Sequence, residues 1–399
     1  MAAALMLLGA LDWSAKAPMV EKRDFSVTYL GCLMVHLGMG PQVYDVSEQR
    51  KLKASILPNS EPLIFEHPPF EALLLSPLAE LPYRTAYLLW GFINIAIWLS
   101  LPILLRRYTP VPQDSLGYLG LWLLFAPLGV TLFQGQSSLV VLLLYTFTFI
   151  FLKQGRDFPA GMALALALFK FQFAIPMALI FVLRRKWSFI QGFLTMASIL
   201  GGLSLFGVGW SGILTYLRLL TAIVFHPDNS SFGSAAGMVT IEGFVHAIFG
   251  ETLSRSLVFL IVSGFSGLLI LMTAWHWNRP AHSQPERHED VMFGVAIIVS
   301  LVTGLHMFTH DLSPLILALL LVLAHLPDSD GLLRGVLCGC VVVLWIPPVY
   351  FALLAWHHIY LLFTVLLVLT IGMMRLASLP TNTVSNHAGP ERSREAVQV

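Results

Sequence analysis

An all-α polytopic membrane fold, a bundle of about 10–12 transmembrane helices with some short or broken and with extracytoplasmic loops, follows from three features of the chain. Of 399 residues, 57% are hydrophobic and 11% charged, and the mean hydropathy of +0.77 lies far outside the soluble range. Apolar runs close to the length of a membrane span recur along the sequence. Prolines then break one such region beside polar residues: Pro68, Pro69, Pro77 and Pro82 follow Glu66 and His67. Proline gives no donor to a helical ladder. Non-helical backbone at membrane depth survives only where protein or a watery cavity satisfies it. The 44–94 region therefore marks a polar site at a membrane face.

Composition also excludes classes. A net charge of +1 lacks the concentrated basic surface that nucleic acid requires. Cys32, Cys338 and Cys340 are too few and too poorly spaced for a disulfide framework, so buried thiols are expected. There is no P-loop, GxGxxG, CxxC pair or GxSxG elbow, and no Asp-x-Asp to hold a sugar nucleotide through a metal.

Clear spans are predicted at 85–105, 116–132, 139–152, 189–208, 257–274, 331–350 and 359–374. The first apolar stub, 1–11, is half a span: the end of a truncated first helix or an interfacial segment. Residues 23–38 mix charge with apolar side chains and suit a helix on the membrane surface. The body of the protein is expected over 1–376, with 377–399 a disordered cytoplasmic tail.

Two apolar regions are interrupted, 160–183 by Lys170 and Gln172, and 291–323 by the HMFTHD stretch 306–311. Basic residues decide how they fold. Arg106, Arg107, Lys153, Arg156, Arg184–Lys186, Arg279, Arg287 and Arg375 cluster at span ends, which the positive-inside rule makes cytoplasmic. A single crossing over 160–183 would put Arg184–Lys186 on the wrong side. Reading both regions as hairpins keeps every basic cluster inside. Asp24, Glu66–Pro69, Gln134–Gln136, Lys170, the 226–229 stretch, 306–311 and His357/His358 then share the extracytoplasmic face.

Each polar group on that face has two readings. Asp24 can be a general base for an acceptor hydroxyl or the N-cap of the following helix. Lys170 is the one lysine in its apolar region, suited either to a lipid phosphate in a cavity or to snorkelling. His306, His310 and Asp311 fit phosphate or sugar contacts better than a metal site, which would want three or more ligands; a plain turn, with Asp311 capping the next helix, is the other reading. Gln134 and Gln136, in FQGQ, can meet sugar hydroxyls or cap helix ends. Glu66 and His67 border the same region, and His357/His358 resemble an interfacial belt.

In order along the chain, DFSVTY (24–29), the GPQVYD approach (40–45), HPPFEALLLSPLAELPYRTAYLLW (67–90), FAPLGVTLFQGQSSLVVLLL (125–144), AGMALALALFKFQ (160–172) followed by RRKW, and HMFTHDLSPL (306–315) resemble glycosyltransferase family 87. Its best-known members are polyprenol-phosphate-mannose-dependent mannosyltransferases of GT-C architecture. One departure is Glu242, which stands in the 237–250 segment where a basic residue is expected. The resemblance implies an integral plasma-membrane hexosyltransferase, inverting, acting outside the cytoplasm. Its donor would be a polyprenyl-phosphate sugar, its acceptor a lipid or glycan, and Asp24 its base. Glu66, His67, Gln134, Gln136, Lys170, His306, His310 and Asp311 would bind the donor. Neither a metal nor a further cofactor is expected, because the donor is itself the activated lipid phosphate. The rival reading is a transporter or flippase of a lipid-linked saccharide.

Overall fold

A computed structural model describes residues 20–109, 115–225, 237–280, 284–304 and 307–380. The stub 1–11, the 226–229 stretch, His306 and the tail beyond 380 lie outside the described residues. Those described are helical, without strands. In chain order the helices begin with α1 (Phe25–His36), α2 (Val46–Ile56), α3 (Pro69–Leu75), α4 (Tyr83–Leu105), α5 (Ser115–Leu124) and α6 (Ala126–Gln134). The middle of the chain gives α7 (Ser138–Lys153), α8 (Asp157–Leu166), α9 (Phe171–Leu183) and α10 (Trp187–Phe225). After these come α11 (Ile241–Phe249), α12 (Arg255–Trp277), α13 (Pro285–Val302), α14 (Leu315–His325), α15 (Gly331–Trp345), α16 (Pro347–Ala355) and α17 (Leu362–Ala377).

Local chemistry sets many boundaries. Asp45 caps α2 by accepting from the Ser47 and Glu48 amides at 2.8 and 3.2 Å. Pro68 is extended (φ −57°, ψ 146°), and Pro69 occupies the first turn of α3, where a missing N–H costs nothing. The predicted 116–132 span is broken into α5 and α6, bent by 53°, with Pro127 at the start of the second. The 331–350 span divides likewise into α15 and α16 at 67°, before Pro347 and Pro348. α10 kinks at Gly209 (φ 68°, ψ 176°), one residue after the predicted end at 208.

Six helical stretches among the described residues are long and apolar enough to cross a membrane, or up to eight if each bent pair is one span. The chain is a multi-pass membrane protein. Length alone misleads at 157–183, which passes as a single 27-residue span. A straight helix of that length would separate its ends by roughly 40 Å, whereas Asp157 Oδ2 lies 4.0 Å from Lys186 Nζ. α8 and α9 therefore fold back on themselves as the hairpin that the charges require. Glycine lets α10 pack closely on α8 beside the base of the hairpin: a Cβ at Gly161 would sit 1.9 Å from the Phe189 carbonyl oxygen, and one at Gly192 would sit 2.0 Å from that of Phe158. α13 and α14 form the second hairpin, with His325 Nε2 3.3 Å from Asp290 Oδ2.

One end of the bundle gathers several charged pairs. Lys153 meets Glu286 and Asp290 at 2.8 and 2.9 Å, Arg184 meets Glu289 at 3.2 Å, and Arg375 meets Asp330 at 3.7 Å. The hairpin tips lie at the other end. One expectation is corrected here. The 23–38 segment is no surface helix, because protein encloses α1: Phe25, Leu30, Cys32 and Met34 are at most 1% exposed. Its apolar residues are not confined to one stripe, so it is buried on several sides.

Candidate active site

Asp24 sits at the N-cap position of α1, yet its backbone is helical (φ −60°, ψ −24°) and its side chain caps nothing. Its Oδ2 instead accepts a 2.9 Å hydrogen bond from Gln136 Nε2. The FQGQ turn makes this possible. Gly135 ends α6 in the left-handed region (φ 68°), with the Gln136 amide donating to Thr131 O at 3.0 Å. A Cβ at 135 would come within 2.8 Å of Phe25 Cβ, so only glycine lets the turn lie this close to the residue after Asp24. Trp90 Nε1 and the Tyr87 hydroxyl donate to the Gly135 and Phe133 carbonyls, both at 2.8 Å, and fix the turn from α4.

The α8–α9 tip carries Lys170 to the same place. Lys170 is 4% exposed, so it is buried rather than snorkelling. Its Nζ forms an ion pair with Asp311 Oδ1, donates to Ser138 Oγ at 3.0 Å and reaches Gln136 Oε1 at 3.5 Å. Asp311 comes from the α13–α14 tip, in the 3₁₀ turn Thr309–Leu312. Its Oδ1 also accepts from Ser138 at 2.9 Å, while Oδ2 lies 3.3 Å from His310 Nε2 and accepts from the Phe308 amide at 3.2 Å. Two buried charges persist in such a setting only with close partners and satisfied hydrogen bonds. Asp311 thus orients Lys170 and His310. Both of its oxygens are engaged in these contacts.

A cavity of about 650 Å³ opens here. Asp24, Glu66, His67 and Gln134 line it, as do Gln136, Lys170, His310 and Asp311. All eight described residues read from the sequence as the base or as donor contacts are in this wall. Gln134 Oε1 is buried there without a hydrogen-bond partner among the described residues. Gln136, by contrast, bridges Asp24 and Lys170 rather than standing free for a sugar.

Sequence reasoning missed other residues. His357, read as part of an interfacial belt, lines the cavity and adopts a left-handed backbone (φ 57°), a conformation that glycine usually supplies. Gln172 lines it as well, two residues beyond Lys170. Ser138 is buried behind it as the shared partner of Lys170 and Asp311. Gln49 and Lys53, one turn apart on α2, hold the loop that brings Glu66 and His67 to the cavity. Gln49 donates to the Val43 and Phe65 carbonyls and accepts from the Phe65 amide at 2.6 Å. Lys53 donates to the Glu61 and Leu63 carbonyls, both at 2.7 Å. The polar residues of α2 had no counterpart in an apolar pattern that could reveal this.

Membrane-length helices around one polar cavity, with the Lys153, Arg184 and Arg375 ion pairs at the opposite end, define a multi-pass membrane protein with a polar cavity at one face. The family model of glycosyltransferase family 87 matches residues 65–304, more than half of the chain, and the protein belongs to that family. It is a membrane glycosyltransferase. The match includes Glu66, His67, Gln134, Gln136 and Lys170, while Asp24, His310 and Asp311 lie outside it. No curated protein and no solved structure matches the chain.

Proposed function

We propose that the protein transfers a hexose, mannose in the first instance, from a polyprenyl-phosphate donor to a lipid or glycan acceptor on the extracytoplasmic side of the plasma membrane. The reaction inverts the anomeric carbon. Asp24 takes the proton of the acceptor hydroxyl as its oxygen attacks. The sugar–phosphate bond breaks in line, and charge growing on the phosphate meets Lys170 and His310. Gln134, with its unsatisfied buried oxygen, accepts from a sugar hydroxyl. No metal or cofactor is assigned a role.

One observation carries this reading. A carboxylate in the cap position leaves the helix uncapped and turns to a cavity amide, and that amide also reaches a buried lysine. A proton acceptor and a cation are thereby held on the two sides of one carboxamide, near enough to serve the attacking and the leaving group of one displacement. The test is transfer by purified protein. A polyprenyl-phosphate hexose should serve as donor and the corresponding nucleotide sugar should not. Transfer from the nucleotide sugar alone would reverse the donor assignment.

A further inference from the structure

Lys170 and Asp311 both belong to the cavity wall, so that ion pair presents a positive and a negative end together. The His67–Glu71 pair is arranged differently. His67 lines the cavity, whereas Glu71 is outside the lining, 3% exposed behind it. His67 Nδ1 lies 2.6 Å from Glu71 Oε2, one helical turn on, which leaves Nε2 on the other edge of the ring for the cavity. The backbone that carries the ring is held in place. The Tyr44 hydroxyl donates to the His67 carbonyl at 2.7 Å, and the Phe65 ring lies 5.5 Å away. Pro68 fixes the backbone after it.

The carboxylate has strong reason to keep its partner. Removing one member of a buried pair strands a charge in a medium that solvates it poorly. Burial opposes a charged His67, but the Glu71 carboxylate, with Glu66 adding to it, holds the ring's pKa above the ordinary imidazole value. The Lys170 charge acts against this, and both side chains line the same cavity.

We infer that His67 is a further catalytic residue, an imidazolium whose Nε2–H hydrogen-bonds the departing lipid phosphate, and that Glu71 is its positioning residue. The inference rests on the donor class proposed above. In the step, the acceptor oxygen–C1 bond forms, the C1–phosphate oxygen bond breaks with its electron pair, and the acceptor proton goes to Asp24. His67 keeps its proton and shares it with the phosphate oxygen, so no further acid or base is needed.

The test is binding rather than turnover. A short polyprenyl phosphate and the matching neutral polyprenol are titrated into wild-type protein, His67→Gln and Glu71→Gln. Loss of a charge-assisted hydrogen bond should weaken phosphate binding by about 10-fold in each variant, with polyprenol binding unchanged. Unchanged polyprenol binding also reports an intact fold, and His67→Gln decides the matter if Glu71→Gln does not fold. The double variant should lose no more than His67→Gln alone, because Glu71 acts through the ring. Undiminished phosphate preference in His67→Gln would overturn the inference and leave the donor class standing. A wild-type protein that prefers neither ligand would remove the donor class and the inference with it. Equal competition by inorganic phosphate would show an anion site without a lipid component, and would also overturn it.

Discussion

Gln136 Nε2 donates to Asp24 Oδ2 at 2.9 Å across 112 residues of sequence, so an amide from one helix end holds the carboxylate that another helix leaves free. Asparagine caps helices about as well as aspartate, and here the side chain does not cap at all. Asp24→Asn should therefore fold and express normally while losing its proton acceptor. Turnover should fall on the order of 100- to 10,000-fold, measured as sugar transfer by purified protein. Near wild-type transfer would remove Asp24 from the role of base.

The Lys170–Asp311 pair separates stability from chemistry. Lys170→Met leaves a buried carboxylate and should cost about 3–5 kcal/mol, together with a loss of turnover of ~100-fold or more. Lys170→Met combined with Asp311→Leu should recover most of the stability and none of the activity. Thermal midpoints in detergent beside transfer rates would show it. Recovered activity in the double variant would reduce the pair to a structural contact.

Lys53 makes stability depend on pH. Burial pushes its pKa down to about 8, against the pull of Glu61 and Asp24, while in the unfolded chain it stays near 10.5. The unfolded state thus binds more protons between these values, and stability rises with pH across that window. Below about 8 both states are charged and the contribution is flat. Denaturation midpoints of wild-type protein should climb relative to Lys53→Met from pH 8 to 10. Parallel curves would contradict the shift.

Orientation can be read by labelling. A membrane-impermeant thiol reagent applied to intact cells should modify a cysteine at Gln172, in the cavity wall, but not one at Lys186, at the base of the same hairpin. The reverse pattern would turn the protein over and place the cavity in the cytoplasm.

Chelation tests the metal-free mechanism. Rates should be unchanged in EDTA. Activity lost there and restored by a divalent ion would assign His310 and its neighbours a ligand role instead.

Much of the bundle was legible in advance. Predicted spans at 85–105 and 257–274 match α4 and α12 within a few residues, because an apolar run of that length has few alternatives in a membrane. Charge placement revealed both hairpins, since a single crossing would have put basic clusters at opposite ends. The enclosed α1 and the cavity position of His357 were not legible. An apolar helix looks the same whether lipid or protein covers it, and a histidine next to Trp356 gives no sign of the backbone turn that carries it inward.

The sequence by itself determined the membrane class, the family, the two hairpins and the list of polar residues at one face. These depend on hydrophobicity, charge and local order, which are properties of short segments. Only the tertiary structure decided what each polar residue does: Lys170 joined to Asp311 across 141 residues, Gln136 turned to Asp24, Ser138 between a lysine and an aspartate, and Glu71 behind His67. A buried charge takes whichever partner the packed helices bring within hydrogen-bond reach, and that distance is fixed by the crossing of whole helices, not by the residues on either side of it.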